Sequence, residues 1–161
     1  MANETPGGPE LRNNSKLNRR FSQAARDSLK AAMGLHAQGD IDGALAEAKN
    51  AIEAAPAFAE ALSYLGSTLI TRKGRFAEGL DALAQAEAAS PDDATLQYTL
   101  GWCCEFIAHR VSRRPQAGLD PDDLYRRAEG HLRRCLELKP DVKIRDDAKD
   151  LLSTIIKEDV E

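Results

Sequence analysis

Residues 86–91 read AEAASP, and two other stretches end in the same way: AIEAAP at residues 51–56 and CLELKP at residues 135–140. Each begins with a small residue, late in a run whose apolar side chains recur every three or four positions, which is the period of an amphipathic helix. Each closes on a proline, which cannot continue a helix because it lacks an N–H group and its ring clashes with the preceding turn. The sequence therefore predicts three helices that end alike.

Further helices are predicted between these prolines. A helical run starts at about Lys16 and stops at Gly39-Asp40, and either Asp40 or Asp42 can cap the next helix. Lys73-Gly74 interrupts the following run in the same manner. Asp120-Pro121-Asp122-Asp123 is a strong helix start, because it combines a capping residue, a proline in the first turn and acidic residues at the positive end of the helix dipole. One more amphipathic run follows the third proline.

The spacing of the three prolines suggests a repeat. Pro56 and Pro91 are 35 residues apart, close to the roughly 34 residues of a helix-turn-helix repeat. Pro91 and Pro140 are 49 residues apart, and the excess falls in HRVSRRPQAGLDPDD, residues 109–123. We interpret that segment as an insertion, and expect it to be mobile because an interrupted repeat gives it little to pack against.

Small residues recur at matching places in these segments. Leu65-Gly66 and Leu100-Gly101 occupy the first helix of two of them, and Ala44 and Ala128 lie early in the second helix of two. Together with the closing prolines, this pattern resembles the tetratricopeptide repeat (TPR) family. The repeats would cover residues 25–58, 59–93 and 94–141, the last with insertion 109–123, and a capping helix would cover residues 142–159.

The resemblance implies an all-α fold: a right-handed superhelical array of antiparallel helix pairs, a TPR-like α-solenoid of about seven helices. It would form a single domain over residues 16–161. Residues 1–15 are rich in proline, glycine and polar side chains and bury almost nothing, so we expect a disordered N-terminal tail.

The composition narrows the possible functions. The chain has 161 residues, of which 42% are hydrophobic and 30% charged, and its net charge of −4 argues against nucleic-acid binding. No apolar run approaches the roughly 18–20 residues of a transmembrane helix, and no secretory signal is apparent. Three cysteines, an odd number, do not suggest a disulfide framework. These features favour a reducing, cytoplasmic compartment.

The cysteines are also poor candidates for a metal site. Cys103 and Cys104 are adjacent and cannot reproduce the bite of a C-x-x-C pair, although His131 and Cys135 are one helical turn apart. Cys104 and Cys135 fall at core positions of the resembled family, so we interpret them as buried small residues. No set of candidate catalytic residues converges. We expect no metal, no cofactor and no enzymatic activity.

The resemblance implies that the first helix of each pair lines a concave, partner-binding groove. Carried over residue by residue, the groove would contain Leu29, Met33, Tyr64, Ser67, Ile70, Tyr98, Trp102, Glu105 and Phe106. The chaperone-binding members hold a C-terminal carboxylate with polar and basic side chains, but here Leu29, Met33, Tyr64 and Thr99 occupy most of those positions. We therefore expect apolar or aromatic anchors on the partner. In an alternative interpretation, the aromatic side chains pack against the N-terminal helix or the insertion.

A second candidate surface is basic. It comprises Arg110, Arg113, Arg114, Arg126, Arg127, Arg133 and Arg134. These residues could dock an acidic protein or a phosphate group, or they could form a solvated face neutralised by nearby acidic residues.

The sequence thus predicts a protein–protein interaction adaptor or small chaperone that binds a peptide segment or helix of a partner. Size and repeat number also suggest a similarity to cytosolic chaperones for bacterial secretion substrates. The alternative is a homo-oligomeric scaffold in which the N-terminal helix of a neighbouring subunit fills the groove.

Overall fold

A computed structural model describes the backbone of residues 9–158 and the side chains of residues 23–157. Within that range the chain forms seven helices and no β-strand, and one isolated backbone bridge joins Gln116 and Leu119. The helices are α1 (Pro9–Ala37), α2 (Ile41–Ala54), α3 (Ala59–Lys73), α4 (Phe76–Ala89), α5 (Ala94–Arg113), α6 (Pro121–Glu137) and α7 (Val142–Glu158). The predicted all-α class is confirmed.

Contacts within the chain group it into two compact units, Met1–Ala61 and Leu62–Glu161. The sequence pattern predicted one domain over residues 16–161. The division falls in the first turn of α3, so α1 and α2 form the body of the first unit. The second unit contains most of α3 and all of α4 to α7.

In the first unit, α1 and α2 pack side by side as a hairpin, because only residues 38–40 separate them. Ala25 and Ala32 of α1 are fully buried, as are Ala44 and Ala48 of α2. Small side chains at these positions allow the two helix backbones to approach closely. The alanine-rich pattern of the sequence therefore determines how this pair packs.

The turn between α1 and α2 follows the predicted chemistry. Gly39 has a φ of +84°, a left-handed conformation that glycine adopts without steric cost. The Asp40 side chain then accepts a hydrogen bond from the backbone N–H of Gly43 at 2.9 Å and caps α2. The predicted helix stop at Gly39-Asp40 is confirmed.

Helix α1 begins at Pro9, earlier than the start at about Lys16 that was predicted from the sequence. Residues 9–15 are therefore helical, and the boundary predicted at residue 15 lies inside the helix. Proline suits the first helical position, and Leu11 and Arg12 favour a helix, so local propensity outweighs the polar composition. The rest of the predicted tail, residues 1–8, lies outside the described residues.

Two glycines bring α3 and α4 together in the second unit. A β-carbon added to Gly66 would lie 2.7 Å from the carbonyl oxygen of Gly79, and one added to Gly79 would lie 2.7 Å from that of Gly66. Gly79 also meets the side chain of Ile70, so an alanine there, as in the other repeats, would clash. The structure thus explains why this repeat departs from the family pattern.

Helices α5 and α6 approach each other in the same way. A β-carbon on Gly101 would lie 2.7 Å from the side chain of Leu132 and 3.4 Å from the carbonyl oxygen of Ala128. Leu132 and Ala128 are fully buried. The glycines of Leu65-Gly66 and Leu100-Gly101 thus lie where the two helices of each pair approach most closely.

The predicted insertion, residues 109–123, is mostly helical. Helix α5 continues to Arg113, and Val111 within this extension is only 1% exposed. Residues 114–120 form the connecting loop, in which Gly118 has a φ of +81°. Asp120 then caps α6 by accepting a hydrogen bond from the N–H of Asp122 at 3.1 Å. Helix α5 has 20 residues against 15 in α3, the loop that follows has seven against two after α3, and α6 has 17 against 14 in α4, so the extra residues are shared between the two helices and the loop.

Helix α7 packs against α6 and α5. Ala148, Leu152 and Ile155 form its buried face, whereas Val142 is 62% exposed. One side of α7 therefore covers apolar surface and the other faces solvent, as expected of a terminal helix in a repeat array. None of the helices within residues 9–158 is long and apolar enough to cross a membrane.

Candidate functional site

A groove of about 510 Å³ lies between α5 and α7, and we call it the α5–α7 groove. Its lining residues are Tyr98, Trp102, Glu105, Phe106, Asp147, Asp150, Leu151 and Thr154. The four on α5 were all predicted as groove residues. The four on α7 were not, because the sequence pattern predicted only a capping role for that helix.

Helix α5 places its aromatic residues outside the core of the α5–α6 pair. Tyr98, Trp102 and Phe106 are four residues apart, so they share one helix face, and each is partly exposed. A different face of α5 carries Cys103 and Ile107, which are fully buried. The helix thus offers one face to its own fold and another to the groove.

The groove has a mixed electrostatic character. Lys143 pairs with Asp147 at 3.0 Å on α7. Burial raises the pKa of Tyr98, and the charge of Asp147 raises it further, so the phenol stays neutral at physiological pH. Beside the groove, the guanidinium of Arg110 lies over the Phe106 ring, 4.7 Å from its centroid. The α5–α7 groove is therefore lined by both aromatic rings and carboxylates.

The first unit contains a separate cavity of about 380 Å³, the α1 cavity. It is lined by Arg26, Leu29, Lys30, Met33, Phe58 and Glu60. Leu29 and Met33 were predicted groove residues, and Met33 is 54% exposed. Phe58 was not predicted from the sequence, because it precedes α3 and is not on the helix faces that line the groove in the resembled family.

The predicted groove residues of α3 line neither cavity. Ile70 is 1% exposed and packs against Gly79, so its assignment to a partner-binding surface is wrong. Tyr64 is partly buried, and burial raises its pKa. Ser67 donates a hydrogen bond to the carbonyl oxygen of Tyr64 at 3.3 Å. Gly79 is the sequence feature that could have indicated the burial of Ile70, because it lets α4 approach α3 closely enough to cover that side chain.

The predicted basic face is partly neutralised within the described part of the chain. Arg134 pairs with Asp92 at 2.7 Å and with Glu137 at 3.2 Å, and Arg133 pairs with Glu129 at 2.8 Å. Arg126 lies 3.7 Å from Asp123, and Arg110 lies over Phe106. The predicted basic face also contains Arg113, Arg114 and Arg127. This arrangement favours the solvated-face interpretation over a continuous docking patch.

A partly buried hydrogen-bond network, which was not predicted from the sequence, joins α4, α5 and α6. Gln97, only 3% exposed, donates to the Glu87 carboxylate at 2.9 Å and to the Pro91 carbonyl oxygen at 3.0 Å. Its own oxygen lies 2.9 Å from Nδ1 of His131 and must accept from it, so Nδ1 carries a proton. The network helps to fix the position of α5 and hence of the groove.

The three cysteines lie in the core. Cys103, Cys104 and Cys135 are free and buried. Burial raises the pKa of all three thiols, that of Cys104 to about 11. Among the described residues, no three or more His, Cys, Asp or Glu side chains are grouped closely enough to hold a metal ion.

No protein-family model and no curated protein matches the sequence. Solved structures do match the fold. The first TPR domain of Spaghetti (RPAP3), bound to the HSP90 peptide SRMEEVD, is 18% identical with a TM-score of 0.69, and the match covers 87% of this chain and 96% of that one. The N-terminal domain of stress-induced protein-1 (STI-1) from C. elegans is 15% identical with a TM-score of 0.54, covering 81% and 96%.

These matches define the class of fold. The chain has a tetratricopeptide-repeat-like, all-α fold built from helix pairs, as the sequence resemblance predicted.

Proposed function

We propose that this protein is a protein-binding adaptor or small chaperone, and that the α5–α7 groove receives an apolar or aromatic anchor of a partner. The observation that carries the proposal is the partly exposed row of Tyr98, Trp102 and Phe106 along one groove. Water solvates such a row poorly, so covering it favours association. Tryptophan and tyrosine are also the residues most often found at the energetic centre of protein interfaces.

The similar RPAP3 domain is bound to a peptide, which supports a peptide or protein partner for this fold. That peptide, SRMEEVD, is acidic. In the present chain, Leu29, Met33, Tyr64 and Thr99 occupy most of the positions at which family members hold a carboxylate. The partner proposed here therefore binds through apolar anchors.

Truncation of the tryptophan tests this proposal. A peptide is first selected from a displayed random library against the whole chain, and its affinity is then measured by calorimetry. We expect Trp102→Ala to weaken binding by about 2–4 kcal/mol, as for a central aromatic hot spot. Met33→Ala, which alters the α1 cavity, is the control and leaves the affinity unchanged. Loss of binding in Met33→Ala with full binding in Trp102→Ala would move the site to the first unit.

A specific observation favours the second candidate, a homo-oligomeric scaffold. Helix α1 has 29 residues and its partner α2 has 14, so α2 can pair with only about half the length of α1. The unmatched half could dock on a neighbouring subunit. Light scattering distinguishes the two candidates: an adaptor with a free groove is monomeric, whereas the scaffold oligomerises and becomes monomeric on removal of residues 1–22.

We also propose that the protein has no catalytic role and that it lies in the cytoplasm. The buried thiols of Cys103 and Cys104 are held protonated by their raised pKa values, and Nδ1 of His131 is engaged with Gln97. These side chains are therefore poorly placed to act as nucleophile or base. Three free, buried cysteines are also compatible with a reducing compartment. An activity screen of the purified chain with metal analysis tests the first statement.

A further inference from the structure

A row of basic residues follows one side of α1, and we call it the α1 basic stripe. Its members are spaced four, three, seven and four residues apart, which keeps them on one side of a helix; they are Arg12, Lys16, Arg19, Arg26 and Lys30. At about 1.5 Å per residue, the stripe extends over about 27 Å of the helix axis. Its length suits an extended partner surface better than a single small anion.

The stripe gives α1 an excess of positive charge. Residues 9–30 contain six basic and two acidic residues, a net charge of +4, in a chain whose net charge is −4. One of the two acids, Asp27, accepts a hydrogen bond from Gln23 at 2.9 Å. Among the described residues, neither Arg26 nor Lys30 forms an ion pair, and both are exposed. The positive potential of α1 is therefore available to a negatively charged partner.

The α1 cavity lies beside the C-terminal end of the stripe and adds an apolar surface. Two cations, one carboxylate and three apolar side chains line it: Arg26, Lys30, Glu60, Leu29, Met33 and Phe58. Met33 is 54% exposed, and its flexible side chain adapts readily to a partner. A concave apolar cavity bordered by two cations suits an apolar side chain that is flanked by carboxylates.

We infer that the α1 basic stripe and the α1 cavity together bind an acidic segment of a protein partner. Acidic side chains of that segment lie along the stripe, and one of its apolar side chains enters the cavity. The site belongs to the first unit and is separate from the α5–α7 groove. The inference therefore goes beyond the proposed function and does not depend on it.

A protein segment fits this site better than a membrane or a nucleic acid. A bilayer surface or a phosphate backbone supplies negative charge but no apolar side chain for the concave cavity, and Glu60 repels a continuous row of phosphates. The site also differs from one that holds a C-terminal carboxylate. Leu29 and Met33 occupy those positions, and most of the stripe precedes them in α1. The carboxylates recognised here are therefore those of side chains.

Four synthetic peptides of about 20 residues, long enough to span the stripe as a helix, test this inference. Each is acetylated and amidated, so it has no terminal charge. Three carry glutamate, glutamine or lysine at the spacing of the stripe together with one leucine anchor, and the fourth keeps the glutamates but has alanine as its anchor. Binding is followed by the anisotropy of a fluorescent label on the peptide.

At about 0.1 M salt, we expect the glutamate peptide to bind about tenfold more tightly than the glutamine peptide, and the lysine peptide to bind most weakly. At about 1 M salt this preference should shrink, because the Debye length falls from about 10 Å to about 3 Å. Replacing the leucine anchor by alanine should weaken binding about fivefold, because less apolar surface is buried.

Matched variants locate the effect. Arg26→Gln/Lys30→Gln should bring the affinity for the glutamate peptide close to that for the glutamine peptide. The control, Lys149→Gln/Lys157→Gln, removes the same two charges from exposed positions on α7 and should keep the preference for glutamate. Met33→Ala should weaken binding of the leucine-anchored peptide more than that of the alanine-anchored one. Circular dichroism checks that each variant is folded.

Several outcomes would overturn the inference. Equal binding of the glutamate and glutamine peptides, or no binding of any peptide up to about 1 mM, would show that the stripe selects no acidic segment. Tighter binding of phosphatidylserine vesicles or of single-stranded DNA would assign the stripe to phosphates. Self-association that salt and Arg26→Gln/Lys30→Gln both abolish would make a second copy of this chain the occupant.

The emission of Trp102 keeps this test apart from that of the adaptor proposal. Trp102 lines the α5–α7 groove, so its emission should stay unchanged when the glutamate peptide binds. A saturating shift of that emission would move the acidic segment to the groove and overturn the inference. The library-selected peptide and Trp102→Ala decide the adaptor proposal independently of these results.

Discussion

Glycine and alanine determine where the helices of this protein touch. A β-carbon at Gly66 or Gly79 would lie only 2.7 Å from a backbone carbonyl oxygen of the facing helix, and side-chain movement alone cannot relieve that contact. At Gly101 the obstacle is the Leu132 side chain, which can shift slightly. Gly130, in α6, has nothing within 4 Å of such a β-carbon. Replacing glycine by alanine is therefore expected to have opposite effects on the free energy of unfolding at different positions.

This contrast gives a matched pair of substitutions. Gly66→Ala should lower the free energy of unfolding by about 1–3 kcal/mol, because its methyl group would meet the Gly79 carbonyl oxygen. Gly130→Ala should raise it by about 0.5–1 kcal/mol, because alanine favours a helix and has space there. Urea denaturation measures both. Equal effects of the two substitutions would contradict the close approach of α3 and α4.

The hydrogen-bond network predicts a pH dependence at His131. Burial lowers the pKa of this histidine; the Glu87 charge opposes that shift and the Arg127 charge adds to it. The folded state therefore releases the proton more readily than the unfolded state. The stabilisation is fully present above about pH 6.5 and is lost as the pH falls below that value.

His131→Asn should therefore make the free energy of unfolding fall less steeply between about pH 7 and about pH 5. The asparagine retains a donor near the position of Nδ1 but does not titrate. His109→Asn, at an exposed position on α5, is the matched control. If wild type and His131→Asn lose stability in parallel as the pH falls, then the pH dependence does not arise from His131.

Among the helices, α5 contributes both to the hydrophobic core and to the α5–α7 groove. One face of it enters the core through Cys103, Ile107 and Val111, and another lines the groove through Trp102 and Phe106. Its length depends on residues 109–113, which extend it beyond the ordinary repeat. The short loop that follows contributes much less to the core.

Two changes separate the helical extension from the loop. Val111→Ala should lower the free energy of unfolding by about 1–3 kcal/mol, because it removes buried methyl groups. Replacement of residues 115–119 by a shorter glycine-serine linker that keeps the Asp120 cap should cost less than about 1 kcal/mol. Thermal or urea unfolding measures both. If the linker variant is the less stable of the two, the loop itself docks on the helices.

Many of the helix starts and ends could be predicted from the sequence. Gly39-Asp40, the closing prolines and the Asp120-Pro121 start are local signals whose chemistry does not depend on distant residues. The face shared by Tyr98, Trp102 and Phe106 was predictable for the same reason, since it needs only the helical period.

Other features depend on which helices meet, and the sequence alone does not give that. Ile70 was placed in the groove by alignment, but Gly79 on the next helix allows α4 to cover it. The α7 side of the groove was missed because Asp150 and Leu151 acquire their role only when α7 packs beside α5. Gln97 and His131, which are hydrogen-bonded to each other, lie 34 residues apart in the sequence, beyond any local pattern.

For the molecule as a whole, the proposed binding function rests on two separate cavities, one in each unit. The α1 cavity in the first unit combines Leu29 and Met33 with Arg26 and Lys30, and the α5–α7 groove in the second combines aromatic rings with carboxylates. Each unit thus carries its own candidate surface. The central claim is that the aromatic face of α5 is the one that a partner covers.

Fluorescence of Trp102 tests that claim most directly, since it is the only tryptophan in the chain. A library-selected peptide without tryptophan is titrated into the whole protein, and its binding is followed independently by calorimetry. The account predicts a blue shift of the Trp102 emission that saturates at the calorimetric dissociation constant, because the peptide removes water from the indole. A peptide that binds by calorimetry and leaves the Trp102 emission unchanged would contradict it.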